Sequence, residues 1–88
     1  MAKRIFVVGA GTMGAGIAQL AAQKGFETWL YDLSEDQLSK AQAGINKSLT
    51  ILVEKGKIDE PTQHSINARL HFVQSLDEFY KRQNVMIS

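Results

Sequence analysis

The chain has 88 residues, 44% of them hydrophobic and 22% charged, with one proline and no cysteine. This excludes collagen-like, proline-rich and highly charged disordered chains, disulfide frameworks and thiolate metal sites, and the length allows one small domain. Ten Lys and Arg against nine Asp and Glu leave a net charge of +1, which supplies no general pull toward nucleic acid or an anionic membrane.

Lys3-Arg4 followed by an uncharged stretch over 5–22 has the outline of a secretory signal. The glycines at 9, 11, 14 and 16 argue against it, because each costs a helix interior about 1 kcal/mol relative to Ala. No segment approaches the ~20 apolar residues of a membrane span, so a soluble, cytoplasmic protein is expected. Residues 5–8 (Ile-Phe-Val-Val) form a continuous β-branched run ended by glycine, which suits a strand buried on both faces. From Thr12 the period becomes helical, with Met13, Ile17, Leu20, Ala21 and Lys24 in one stripe and Gly25 at the expected C-terminal stop. Residues 28–31 (Thr-Trp-Leu-Tyr) read as a second strand ending at Asp32.

Ser34 and Gln37 have the spacing of a capping box for the next helix, with Glu35 and Asp36 at its positive end. Leu38, Ala41, Ile45, Leu49, Leu52 and Val53 then form one apolar stripe that runs to about Lys55, where Gly56 ends it. Asp59-Glu60-Pro61 reads as the cap and first turn of a short helix to about Asn67. Leu70 to Val73 reads as a third strand, a helical turn is expected around Asp77 to Tyr80, and Val85-Met86-Ile87 reads as the start of a fourth strand. Alternating strands and helices specify an α/β fold with a parallel sheet, and right-handed crossovers place the first two strands side by side.

The first strand-to-helix turn is Gly9-Ala10-Gly11-Thr12-Met13-Gly14, a G-x-G-x-x-G, and Asp32 ends the second strand 18 residues after Gly14. Strand, glycine turn, helix and terminal acid within one βαβ unit make up the dinucleotide-binding fingerprint of a Rossmann-type sheet. Each residue type has a physical reason. Gly9 permits a tight turn, Gly11 leaves the backbone open to a pyrophosphate, and Gly14 lets the helix pack on the strand. The backbone N–H groups and the helix dipole supply the positive potential, so no lysine is needed and no P-loop is present. Asp32 is placed to accept hydrogen bonds from adenosine ribose hydroxyls and to repel a 2′-phosphate. No Arg stands at 33 or 34 to receive one. NAD is therefore expected over NADP, while FAD stays open from the motif alone. The competing structural readings are a glycine turn that binds nothing and an Asp32 that caps the following helix.

The segment 5–32, with Gly-Ala-Gly-Thr-Met-Gly-Ala-Gly-Ile-Ala-Gln and Leu-Tyr-Asp, closely resembles the amino terminus of 3-hydroxyacyl-CoA dehydrogenases. The stretches Ile45-Asn46-Lys47-Ser48-Leu49, 52–58 and 66–70 resemble the family's helical extension and the entry to its third strand. The resemblance covers nearly all of this chain but about the first third of a full family member. It implies an NAD-dependent hydride transfer between the cofactor and a 3-hydroxyacyl-CoA. It also implies that Ser48 and Lys55, seven apart on one helical face, contact the CoA moiety, the alternative being a solvated helix face. The family's catalytic His–Glu pair matches neither His64 nor His71. No catalytic residue is thus expected in these 88 residues, which read as a partial NAD-binding domain without its helical substrate domain. Two other readings stay open: a non-catalytic NAD-binding module, and the same segment of a dehydrogenase acting on 3-hydroxy acids without CoA. A parallel sheet that ends at its fourth strand has an uncovered edge, which points to homo-oligomers, with NAD(H) and acyl-CoA as small-molecule partners.

Overall fold

The computed structural model describes residues 3–75. The turn expected at 77–80 and the strand expected at 85–87 lie outside the described residues. Within them the order is β1 (Arg4–Val8), α1 (Thr12–Gln23), β2 (Glu27–Tyr31), α2 (Glu35–Glu54), α3 (Glu60–Arg69) and β3 (Leu70–Val73). The strands form one parallel sheet in the order β1-β2-β3, with Val7 opposite Leu30 and Leu30 opposite Phe72.

Both crossovers step in the same direction across the sheet, so right-handed connections put all three helices on one side. The packing agrees. Ile5, Val7, Leu30, Leu70 and Phe72, which share a face by register, gather with Ala18 and Ala22 of α1, Leu38, Ala41, Ile45 and Leu49 of α2, and Ile66 of α3. The opposite face carries Phe6, Trp29 and His71 in one row and Val8, Tyr31 and Val73 in the next.

The α2 stripe behaves as its spacing predicts: Leu38, Ala41, Ile45 and Leu49 are buried, and Leu52 and Val53 are half-buried. Burial of each large aliphatic side chain contributes roughly 1.5–3 kcal/mol, which is what orients this helix. At 20 residues α2 is about 30 Å long against strands of 4 or 5 residues, so it extends past the sheet. Asp59 caps α3, its side chain accepting from the Thr62 N–H at 2.9 Å. The helix runs two residues beyond the expected Asn67.

The α1 stripe does not behave as its spacing predicts. Met13, Ile17 and Leu20 are 80%, 50% and 55% exposed, while Ala18, Ala21 and Ala22 are buried. The cause is proximity. Gly14 seats the helix so close to Gly9 that a Cβ there would overlap the Gly9 carbonyl oxygen, and only small residues fit beneath. The Arg69 guanidinium then closes the far end of α1, donating to the Ala22 carbonyl at 2.8 Å.

Candidate functional site

The glycine turn lies at the carboxyl ends of β1 and β2, where open α/β sheets take their ligands. The Gly9 N–H donates to the Tyr31 carbonyl at 2.7 Å, which carries the ladder one residue past β1. Gly9 then adopts φ +97°, a left-handed conformation that favours glycine. Gly11 is the N-cap of α1 in an extended conformation, φ −71° and ψ −173°, and a Cβ there would meet nothing within 4 Å. The three glycines of the motif thus have separable roles: Gly9 turns, Gly14 permits close packing, and Gly11 keeps open space above the helix end.

That helix end is bare. No side chain caps α1, and no acidic residue stands in its first turn. The leading N–H groups of an α-helix have no intrahelical partner, so those over Thr12 and Met13 face outward with the positive end of the dipole behind them. A diphosphate fits this cradle through backbone donors alone.

Asp32 closes the other side. Its Oδ2 accepts from the Ala10 N–H at 2.9 Å and its Oδ1 from the Ser34 N–H at 2.8 Å. The Ala10 N–H, and after it the Ser34 N–H, hold this carboxyl below its ordinary value of 3.8, against an opposing effect of partial burial. The carboxylate is therefore ionised at neutral pH and turned toward the glycine bend. Each oxygen spends one acceptor site on the backbone and keeps another for a hydroxyl pair such as that of a ribose. Asp32 is not the cap of the following helix, since its Oδ1 accepts from the N–H of the cap residue itself. Ser34 is the N-cap of α2, its Oγ accepting from the Gln37 N–H at 3.2 Å. The Ser34 N–H that a reciprocal capping box would give to the Gln37 side chain goes to Asp32 instead.

A cleft of about 360 Å³ opens between α1 and α2, lined by Gly11, Thr12, Gly16, Gln19, Lys40 and Gly44 among others. Gly16 and Gly44 both line it, and a Cβ at either would meet nothing within 4 Å. Lys40 stands at its side, 3.4 Å from Asp36. Ser48 is half-buried on α2 and joined to α1 through Gln19, while Lys55 is the exposed C-cap of α2. The structure thus gathers Gly9, Ala10, Gly11, Thr12, Met13, Gly14 and Asp32 at one place. It sets Ser48 and Lys55 apart from them, farther along α2. Gly16, Gly44 and Gln19 escaped the sequence reading. Two glycines in helix interiors, where each is unfavourable by about 1 kcal/mol, were the signal available.

His64 is exposed on α3. His71 forms a His–Glu pair, its Nε2 2.9 Å from Glu27 Oε2, with its ring stacked on Trp29 at 4.7 Å. The pair lies at the amino-terminal ends of β2 and β3, on the face without the described helices, and Asp32 lies beyond the carboxyl end of β2. It bridges strands and is out of reach of the glycine cradle.

Known proteins resemble this chain in sequence and fold. Residues 4–87 match the family model for the 3-hydroxyacyl-CoA dehydrogenase NAD-binding domain. A probable 3-hydroxybutyryl-CoA dehydrogenase of Deinococcus radiodurans is 42% identical over 73 residues, covering 83% of this chain and 26% of that protein. The mitochondrial hydroxyacyl-coenzyme A dehydrogenase of Sus scrofa is 43% identical over 61 residues, covering 69% of this chain and 19% of its own length. The crystal structure of the (S)-3-hydroxybutyryl-CoA dehydrogenase of Ralstonia eutropha superposes with a TM-score of 0.84 at 34% identity, covering 92% of this chain and 29% of that one. The chain thus spans about a quarter of the length of its Deinococcus relative.

Proposed function

The chain belongs to the 3-hydroxyacyl-CoA dehydrogenase family, within its NAD-binding domain, and on that basis we propose that it holds NAD for hydride transfer to or from a 3-hydroxyacyl-CoA. The observation that carries this reading is the pairing of an uncapped, glycine-lined helix end with an Asp32 carboxylate pinned toward it by two N–H groups. In this reading Gly9, Ala10, Gly11, Thr12, Met13 and Gly14 hold the diphosphate, and Asp32 grips the adenosine ribose. NAD, when bound, supplies the hydride acceptor. Oxidation of the substrate would also need a base for the hydroxyl proton, which the described residues do not place at the cradle.

Ser48 and Lys55 meet the CoA moiety in the same reading, Ser48 by its hydroxyl and Lys55 as a point charge for phosphate. Support comes from their places seven residues apart on one face of the later half of α2. Self-association, edge to edge between parallel sheets, is part of the proposal, and sedimentation at rising concentration tests it. No described helix is long and apolar enough to cross a membrane, and the reading places the chain in the cytoplasm.

Titration with NADH tests the central claim. Asp32→Ala is expected to weaken NADH at least tenfold, because two ribose hydroxyls lose a charged acceptor. Unchanged NADH affinity in Asp32→Ala would overturn it. A chain that binds NADH but leaves acetoacetyl-CoA unreduced fits the narrower role of a cofactor-holding module.

A further inference from the structure

Gln19 belongs to the Gly16-Ile17-Ala18-Gln19 stretch that follows the fingerprint, yet the cradle does not use it. Its Nε2 donates to the Gln23 Oε1 at 3.1 Å along α1 and to the Ser48 Oγ at 3.0 Å across to α2. An amide NH₂ has two hydrogens, and both are engaged. The first bond fixes the direction of the second: Gln23 presents an oxygen, so Gln19 turns its nitrogen outward, and the same nitrogen meets Ser48.

Ser48 is therefore an acceptor toward α1, and its own hydrogen points elsewhere. A helical Ser or Thr ordinarily gives that hydrogen to the carbonyl four residues back. Thr50 does so, donating to the Asn46 carbonyl at 2.9 Å. Ser48 makes no such bond among the described residues; its contact there is the one with Gln19. Half-buried and held on its acceptor side, the hydroxyl is left as a donor whose hydrogen is confined to the staggered positions that the Gln19 bond leaves open.

We propose that Gln19 is a positioning residue that orients the Ser48 hydroxyl as a hydrogen-bond donor to an acceptor oxygen, phosphate or carbonyl, of a CoA ligand. The inference rests on the reading that Ser48 meets CoA, and it adds how that contact is prepared. A rotor restricted in advance loses less freedom when the ligand arrives. Gln19 also lines the cleft whose other end is the glycine cradle, so α1 carries the diphosphate donors at its start and the Ser48 clamp in its penultimate turn.

Calorimetric titration of the full 88-residue chain with coenzyme A tests this, using Ser48→Ala, Gln19→Met and the double variant. Each single variant is expected to weaken coenzyme A about tenfold, and the double variant no further than either, which is the signature of two residues acting as one contact. NADH affinity of Gln19→Met is expected to stay within twofold. A purely structural Gln19 would instead lower both affinities together. Side-chain amide NMR reads the link without ligand: the Gln19 NH₂ resonances are expected to shift in Ser48→Ala, which keeps the proposal testable if Gln19→Met folds poorly. Coenzyme A weakened by Ser48→Ala but not by Gln19→Met would overturn the role of Gln19 alone. Indifference of coenzyme A to Ser48→Ala would overturn the CoA reading and this inference with it. Gln19 resonances that ignore Ser48→Ala would overturn the hydrogen bond itself.

Discussion

The three helices among the described residues begin differently. α2 starts at Ser34 and α3 at Asp59, each with a side chain accepting from an N–H of the first turn. α2 adds Glu35 and Asp36 at its positive end, and α3 adds Glu60. α1 starts at Gly11 with no side-chain cap and no acid. A cap satisfies the helix end within the chain and contributes typically ~1 kcal/mol. An uncapped end forgoes that stabilisation and leaves its donors to whatever comes from solution. The nearest acid, Asp32, bonds to Ala10 just upstream and so flanks the bare end without capping it. Two ends are completed within the fold, and one is left open.

Substitutions at α1 separate the two requirements of its start, close packing and openness. Gly14→Ala is expected to have the largest effect, because the added methyl overlaps the Gly9 carbonyl and backbone must move. Overpacking of this kind costs roughly 1–3 kcal/mol or more. For a chain of this size that corresponds to a fall in Tm of about 4–8 °C per kcal/mol, with loss of NADH binding. Gly11→Ala should do the opposite to stability. Its backbone is in an ordinary region and a Cβ meets nothing within 4 Å. Tm should hold or rise slightly, as for Gly→Ala at compatible sites, while NADH affinity falls tenfold or more because the methyl occupies the approach to the N–H groups. Thermal melts with and without NADH check both. A Gly11→Ala protein that binds NADH normally would show that the open space serves no ligand.

The same contrast explains what was legible in the sequence. The cradle could be read because it is local: Gly9, Gly11 and Gly14 act within six residues, and Asp32 marks the end of the adjoining strand. The α2 stripe could be read because Leu38, Ala41, Ile45 and Leu49 face the sheet at ordinary helical distance. α1 misled at Met13, Ile17 and Leu20 because hydrophobic periodicity assumes that large residues mark the buried side. Gly14 overrides this by drawing the helix down until only alanines fit. The Ser34–Gln37 pair was half legible. Its spacing specifies the cap, but Asp32 took the Ser34 N–H, a competition that appears only when β2 and α2 meet. The Gln19–Ser48 bond spans 29 residues between two helices, and no local pattern encodes it.

The smallest effect should come from a capped end and be visible through pH. Thr62, first through its hydroxyl and then through its N–H, holds the Asp59 carboxyl below its ordinary value of 3.8. A carboxyl lowered on folding stabilises the native state above its unfolded value. That contribution is lost as pH falls through the lower folded value. Asp59→Asn keeps an acceptor at the cap but cannot ionise, so its melting curve should lose part of the decline that the parent chain shows below about pH 3.8. NADH affinity at neutral pH should not change, since Asp59 caps α3 and the cradle lies at the start of α1. The Asp32 carboxyl is lowered by the Ala10 N–H first and has the same sign, yet its loss at low pH should remove NADH binding as well. Acid melts of the parent and Asp59→Asn chains, paired with NADH titrations at neutral pH, distinguish a carboxylate that serves the fold from one that serves the ligand. If Asp59→Asn changed NADH affinity as Asp32→Ala does, the division between completed and open helix ends would be wrong.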